Sequence, residues 1–182
     1  MAQLLPITEL GNPILRQKAG LIKDPADPII SQLIQDMIAT CRASRGVGLA
    51  APQVGHSVQL FILDMGYDHE KQAENEPAVS IINPRILKRS PKKEKDWEGC
   101  LSIPGIRGLV PRSTQIEVAF LNETGQAIQA TLDGFLARVF QHEFDHLEGI
   151  IYLDHMKSMR DLATESEYIR LMNAQAEKEK TP

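Results

Sequence analysis

Two histidines four residues apart stand in the run Gln141-His142-Glu143-Phe144-Asp145-His146. Four residues is close to one helical turn, so on a helix both imidazoles project from one face and can bind a single metal ion. Glu143 follows His142 by about 100° of helical rotation. Its carboxylate can then reach a water in an open coordination position without becoming a ligand. Such a trio does metal-assisted hydrolysis, with Glu143 as general base. A catalytic site of this kind has three protein ligands and one exchangeable position. The long histidine signature that would supply the third ligand after Gly149 has Tyr152 in its place. Spacing alone leaves Cys100, His155, Glu165 and Glu167 open for that role.

Two further segments are chemically suggestive. Cys100 lies in Glu98-Gly99-Cys100-Leu101-Ser102, among small residues and outside any hydrophobic periodicity, where a thiolate is a good ligand. Gly46-Val47-Gly48-Leu49-Ala50-Ala51-Pro52-Gln53-Val54-Gly55 is too rich in glycine for regular structure throughout. Gly46 and Gly48 allow backbone to come close to a ligand, as when an extended peptide adds to a strand. Asp145 is placed to orient a ligand histidine from behind or to face solvent. Glu98 and Arg107 are read as a pair that steadies the loop carrying Cys100.

The elements that must position these residues follow from periodicity. Asp27 can cap a helix with Pro28 in its first turn and an apolar stripe of Ile29, Ile30, Leu33, Ile34, Met37, Ile38 and Cys41. That stripe makes Cys41 a core residue. Val58 to Leu63 reads as a strand, and Val79 to Ile82 and Ile86-Leu87 as short strands either side of a break at Asn83-Pro84. Ile116 to Leu121 and Gln126 to Leu132 form a hairpin about Asn122-Glu123-Thr124-Gly125. Asp133 then caps a helix with apolar positions Leu136, Val139, Phe140, Phe144 and Leu147, stopped by Gly149. Ile150 to Leu153 adds a strand, Met65 to Pro77 is a surface loop, and Asp161 to Lys180 is a charged terminal helix. The expected fold class is α+β, with strands grouped around a central metal-binding helix, an N-terminal amphipathic helix and a C-terminal helix.

Composition bounds the rest. At 182 residues and 42% hydrophobic the chain suits one domain with its own core. Residues 1-156 are expected to form the catalytic domain and 157-182 a helical extension of it. No apolar run is long enough to span a bilayer, so no membrane partner is expected. Two cysteines exclude a disulfide framework and favour a reduced compartment. With 20 Lys+Arg against 24 Asp+Glu, no general footprint for DNA exists. A local basic run, Arg85, Lys88, Arg89, Lys92, Lys93 and Lys95, and the tail cations Lys157, Arg160, Arg170, Lys178 and Lys180 leave ribosomal RNA open as a partner.

Taken together, the glycine-rich run, the Cys100 segment and the His142–His146 segment resemble the three signature motifs of the peptide deformylase family, in that family's order. The resemblance covers about Leu5 to Leu153. It implies a metal held by Cys100, His142 and His146, Glu143 as acid and base, and the Gln53 amide and Leu101 N–H as donors to an oxyanion. It also implies backbone contacts to the peptide from Val47, Gly48 and Gly99, and a methionine pocket involving Arg107, Phe135, Arg138 and Val139. Position 138 is often apolar in the family. Arg138 is therefore expected to lay its aliphatic stem along the pocket with its head in solvent. The implied reaction releases formate from N-formylmethionyl peptides, in the bacterial cytoplasm or as a mature organellar form, with contact to the ribosome near the exit tunnel. The implied cofactor is one divalent metal, Fe2+ in the cell, with Ni2+, Co2+ or Zn2+ able to replace it in purified protein. The ligand set by itself suggests zinc.

Overall fold

The computed structural model describes residues 2–71, 73–74 and 76–179. The chain runs α1 (Pro28–Ala43), β1 (Gly48–Ala50), β2 (Leu60–Leu63), β3 (Tyr67–Asp68), β4 (Ala73–Glu74), β5 (Val79–Arg89), β6 (Lys93–Cys100), β7 (Ile103–Ser113), β8 (Gln115–Leu121), β9 (Ala127–Asp133), α2 (Gly134–Leu147), β10 (Leu162–Thr164) and α3 (Glu165–Glu179). Helix α2 is the centre. Every residue from Ala137 to Glu143 is buried, so the helix is enclosed on nearly all sides rather than along one stripe. Phe140 packs edge-on against Phe61 of β2, the rings 5.0 Å apart. With Ile81, Ile116 and Val118 these residues form the core under α2, each large apolar side chain contributing about 1.5–3 kcal/mol.

Two sheets flank the helix. The larger is antiparallel with order β1-β2-β5-β8-β9, and the smaller has order β10-β7-β6. The hairpin β8–β9 keeps a single register from Gln115↔Asp133 to Leu121↔Ala127, as the turn residues between them require. Helix α1 closes the other face through Leu33, Ile34, Met37 and Cys41 against Leu49, Leu60 and Ile62. Asp27 caps it, its carboxylate accepting from the Ile29 N–H at 2.8 Å. Ile29, the first residue of the expected stripe, is 75% exposed.

Several expected elements differ. Asn83 does not divide two strands; it sits inside β5 with φ 49°, at a shift of register against β8. Its amide is consumed in a reciprocal pair with the Ile22 backbone, Nδ2 to O 2.8 Å and N to Oδ1 2.9 Å, which fixes the kink without ending the strand. Strand β2 begins at Leu60 rather than Val58. Ile150 to Leu153 is not a strand, because Tyr152–His155 forms a 3-10 turn held by Ile151 N–H to Asp154. The Met65–Pro77 loop contains the small ribbon β3–β4. The terminal helix starts at Glu165, since Leu162–Thr164 is diverted to pair with β7. Lys180, expected at its end, lies outside the described residues. The Asp133 side chain makes no cap bond to α2. The basic run of residues 85–95 spans the end of β5, the short connection at 90–92 that carries Lys92, and the start of β6.

Candidate active site

Both β1 and β6 are edge strands, one from each sheet. A cleft of about 440 Å3 opens between them, lined by Val47 and Gly48 on one side and Gly99, Cys100 and Leu101 on the other. An edge strand presents unpaired N–H and C=O groups, so the cleft can take an extended peptide as an added strand. Phe135, Arg138 and Val139 of α2 also line it, with Phe135 exposed at the rim.

At its base Cys100, His142 and His146 converge, one ligand atom from each lying within 4.8 Å of the others. Helical spacing brings the imidazoles together, and the β6–β7 hairpin delivers the thiol, with Cys100 Sγ 3.3 Å from His146 Nε2. His142 Nδ1 is bonded to Glu98 Oε2 at 2.9 Å, which leaves its Nε2 for a metal. Burial pushes the Cys100 thiol up, but the imidazoles of His146 and His142 outweigh it and hold it well below the ordinary value. A thiolate beside two imidazoles is a donor set that fits one divalent transition metal. His155, Glu165 and Glu167 are not in this cluster; they are bonded to Asp145, Arg107 and Arg170 respectively, Glu165 lining the cleft beside Arg107.

Glu143 lies against Gly48, where a Cβ would stand 2.7 Å from its Oε1. Its Oε2 is buried without a hydrogen-bond partner among the described residues. Burial raises this carboxyl, His142 and His146 pull it down, and the balance is pushed up to about 7. A buried carboxylate of that basicity suits proton transfer near neutrality. Gln53 is fixed at both ends of its amide: Oε1 accepts from Ala50 N–H at 2.8 Å, while Nε2 points at Cys100 Sγ and Ser102 Oγ, at 3.3 and 3.2 Å. Behind these segments the N-terminal arm ties them together, Thr8 N–H to Gln53 O and Leu10 N–H to Ser102 O at 2.7 and 2.8 Å.

The expected ion pairs are re-dealt. Glu98 does not bind Arg107. It accepts from Arg112 Nε and Nη2 at 2.9 and 3.0 Å and from Arg138 Nη1 at 2.8 Å, as well as meeting His142. Arg107 instead holds Glu165 by two bonds of 2.6 and 2.9 Å. The Arg138 head is not in solvent. It also donates to the carbonyls of Val110 and Glu94, so the residue is only 7% exposed. Asp145 touches neither ligand ring; it accepts from Arg112 Nη1 and meets His155 Nε2 at 2.8 Å. Burial pushes Glu98 up, yet His142 and Arg112 hold it far below the usual carboxylate range. Glu98, Arg112 and the stacking Tyr152, whose ring lies 6.0 Å from that of His142, went unread as site residues. Burial at alternate positions Gly108, Val110 and Arg112 of β7 is the signal that places Arg112 inside.

The comparisons agree with this geometry. The family model for polypeptide deformylase matches residues 4–161. The chain belongs to the peptide deformylase family. A peptide deformylase 2 of a Nostoc species is 47% identical over 93% of this chain and 96% of its own. Among solved structures, the Thermotoga maritima peptide deformylase is 39% identical, with TM-score 0.78 over 86% of this chain and 99% of its own. The Acinetobacter baumannii class I type b peptide deformylase, solved with Met-Ala-Ser bound, is 34% identical with TM-score 0.79, over 86% and 100%. As a peptide deformylase the chain is a metal-dependent hydrolase that removes the N-formyl group of nascent peptides. Among the described residues no helix is long and apolar enough to cross a membrane.

Proposed function

We propose that Cys100, His142 and His146 hold one divalent metal and that Glu143, Gln53 and Leu101 carry out the hydrolysis of N-formylmethionyl peptides around it. The observation that carries this reading is the convergence of the three ligands with Glu143 and Gln53 between two edge strands. A divalent cation bound there supplies Lewis acidity and brings water toward neutrality in pKa. Val47, Gly48 and Gly99 offer backbone to the peptide, so that recognition reads the main chain rather than the sequence. Glu143 takes the proton of the attacking water and returns it to the departing amine nitrogen. The Gln53 Nε2 and Leu101 N–H groups donate to the oxygen that becomes negative on attack at the formyl carbon. Phe135, Val139 and the Arg138 stem line the methionine side, with Arg107 at the rim.

Fe2+ is the metal proposed for the cell, with Ni2+, Co2+ or Zn2+ acceptable in purified protein; one thiolate and two imidazoles suit all four. Residues 1-156 constitute the catalytic domain and 157-182 its helical extension in this reading. A bacterial cytoplasmic setting and docking near the ribosomal exit tunnel, through the exposed cations of β5, β6 and α3, complete the reading. Co-sedimentation with ribosomes, with and without residues 165–182, tests that docking.

The decisive experiment is formate release from formyl-Met-Ala-Ser by protein prepared without oxygen and loaded with Fe2+ or Ni2+. Turnover that Glu143→Ala abolishes while metal content is retained supports the assignment. Cys100→Ser separates a peptidase using another third ligand, because only the deformylase arrangement predicts loss of metal.

A further inference from the structure

Two arginines stand at the mouth of the cleft, Arg45 beside the glycine-rich strand and Arg107 opposite. They differ in what neutralises them. Arg107 is held by both oxygens of Glu165 at 2.6 and 2.9 Å. The deeper Arg138 is matched by Glu98. Arg45 is exposed and has no carboxylate partner among the described residues. The carboxylates near its helix end are already taken, Asp64 and Glu74 both by Arg42.

Its backbone is also set. Arg45 has φ 56°, in the left-handed region, with its N–H on Arg42 O at 3.1 Å and the next N–H, of Gly46, on Cys41 O at 2.9 Å. This turn ends α1 and leaves an uncompensated cation on the cleft wall. Arg45 precedes Gly48 by three residues, at most about 10 Å of chain. A peptide extended along β1 from a formyl group near Glu143 crosses that span in about three residues.

We propose that Arg45 is a specificity-determining residue, favouring formylated peptides that carry a carboxylate two or three residues after the formylmethionine; this rests on the function proposed above. The carboxylate is that of an acidic side chain or of the C-terminus of a short peptide, and the two are separable. Nickel-loaded enzyme is assayed on formyl-Met-Ala-Glu and formyl-Met-Ala-Gln, both amidated, and on formyl-Met-Ala-Ser with free and amidated ends. The expected preference for the charged member of either pair is about threefold to fivefold in kcat/KM, carried by KM, as for one exposed ion pair, and it shrinks as salt rises.

Arg45→Asn removes the charge while keeping a residue that tolerates positive φ. It should bring the ratio to about one, and Arg45→Lys should restore most of it. A preference that survives Arg45→Asn, or none in the unaltered enzyme from either carboxylate source, overturns the proposal. Calorimetric binding of amidated Met-Ala-Glu and Met-Ala-Gln to the same holoenzyme keeps the two readings apart. Formate release without any charge preference overturns the role of Arg45 alone. A charge-dependent affinity with no formate release from any peptide overturns the deformylase roles and leaves Arg45 as a peptide-binding group.

Discussion

Glu143 depends on an atom that Gly48 lacks. A methyl group at position 48 would stand 2.7 Å from Glu143 Oε1 and 3.0 Å from its Cδ and Cγ, and the carboxylate is enclosed on the helix side by its own burial. It must therefore move, and a displacement of about 1 Å at a reacting group costs on the order of 100-fold. Gly48→Ala is expected to lower kcat on formyl-Met-Ala-Ser by that order with metal content unchanged, read by steady-state kinetics beside metal analysis. Unaltered kcat would show that Glu143 needs no such seat. The same burial sets a pH limb. Glu143 works as a base only when ionised, and its pKa is pushed up to about 7 by burial before any metal is counted. A neighbouring cation favours the carboxylate, so kcat/KM should hold level above pH 7 and fall below it, the midpoint lying under 7. Metal content followed across the titration separates this limb from ligand protonation, and an activity that rises into acid would rule out the base role.

At the level of elements, the two halves of the site were legible to different degrees. His142 and His146 share a helix, so a period of four residues announces them. The hairpin β6–β7 did not announce itself, because Lys93 to Asp96 are all exposed on an edge strand and carry no apolar alternation to read. Cys100 therefore stood as one candidate ligand beside His155 and the glutamates until the resemblance of its motif singled it out. The charges that lock the hairpin to α2 were legible least of all. Glu98, Arg112, Arg138 and Asp145 are each 7% exposed or less, and sequence reasoning places such residues outside. Inside, two arginines balance two carboxylates, and Arg112 bridges Glu98 of β6 to Asp145 of α2. Arg112→Leu takes the shared cation from both carboxylates and leaves Glu98 to Arg138 and His142 and Asp145 to His155, a loss of about 3 kcal/mol, at the low end for breaking a buried pair. At about 2–4 °C per kcal/mol for a chain of this size, thermal unfolding should show Tm lower by about 10 °C. Arg112→Lys should recover little, since a point charge cannot reproduce the fork that holds Glu98 at two oxygens.

For the whole molecule, the metal site is also a seam. Its ligands come from α2, which packs on the five-stranded sheet, and from β6, which belongs to the other sheet. The family match and the α+β class were readable from motifs distributed along the chain, but the meeting of two sheets at one cleft was not, since no periodicity reports which edges face each other. A cation bridging the two sides binds the folded chain and not the dispersed ligands of the unfolded one, so it adds to stability by mass action. At free metal about 1,000 times Kd the gain is about 4 kcal/mol, or roughly 10 °C at the same conversion. Metal-loaded protein should therefore unfold that much above protein stripped by a chelator, and nickel added back should restore Tm together with formate release. Cys100→Ser should melt near the stripped value with or without nickel, because the ligand from β6 is the one that joins the sheets. Equal Tm for loaded and stripped enzyme would mean that the buried ion pairs, not the metal, hold the seam closed.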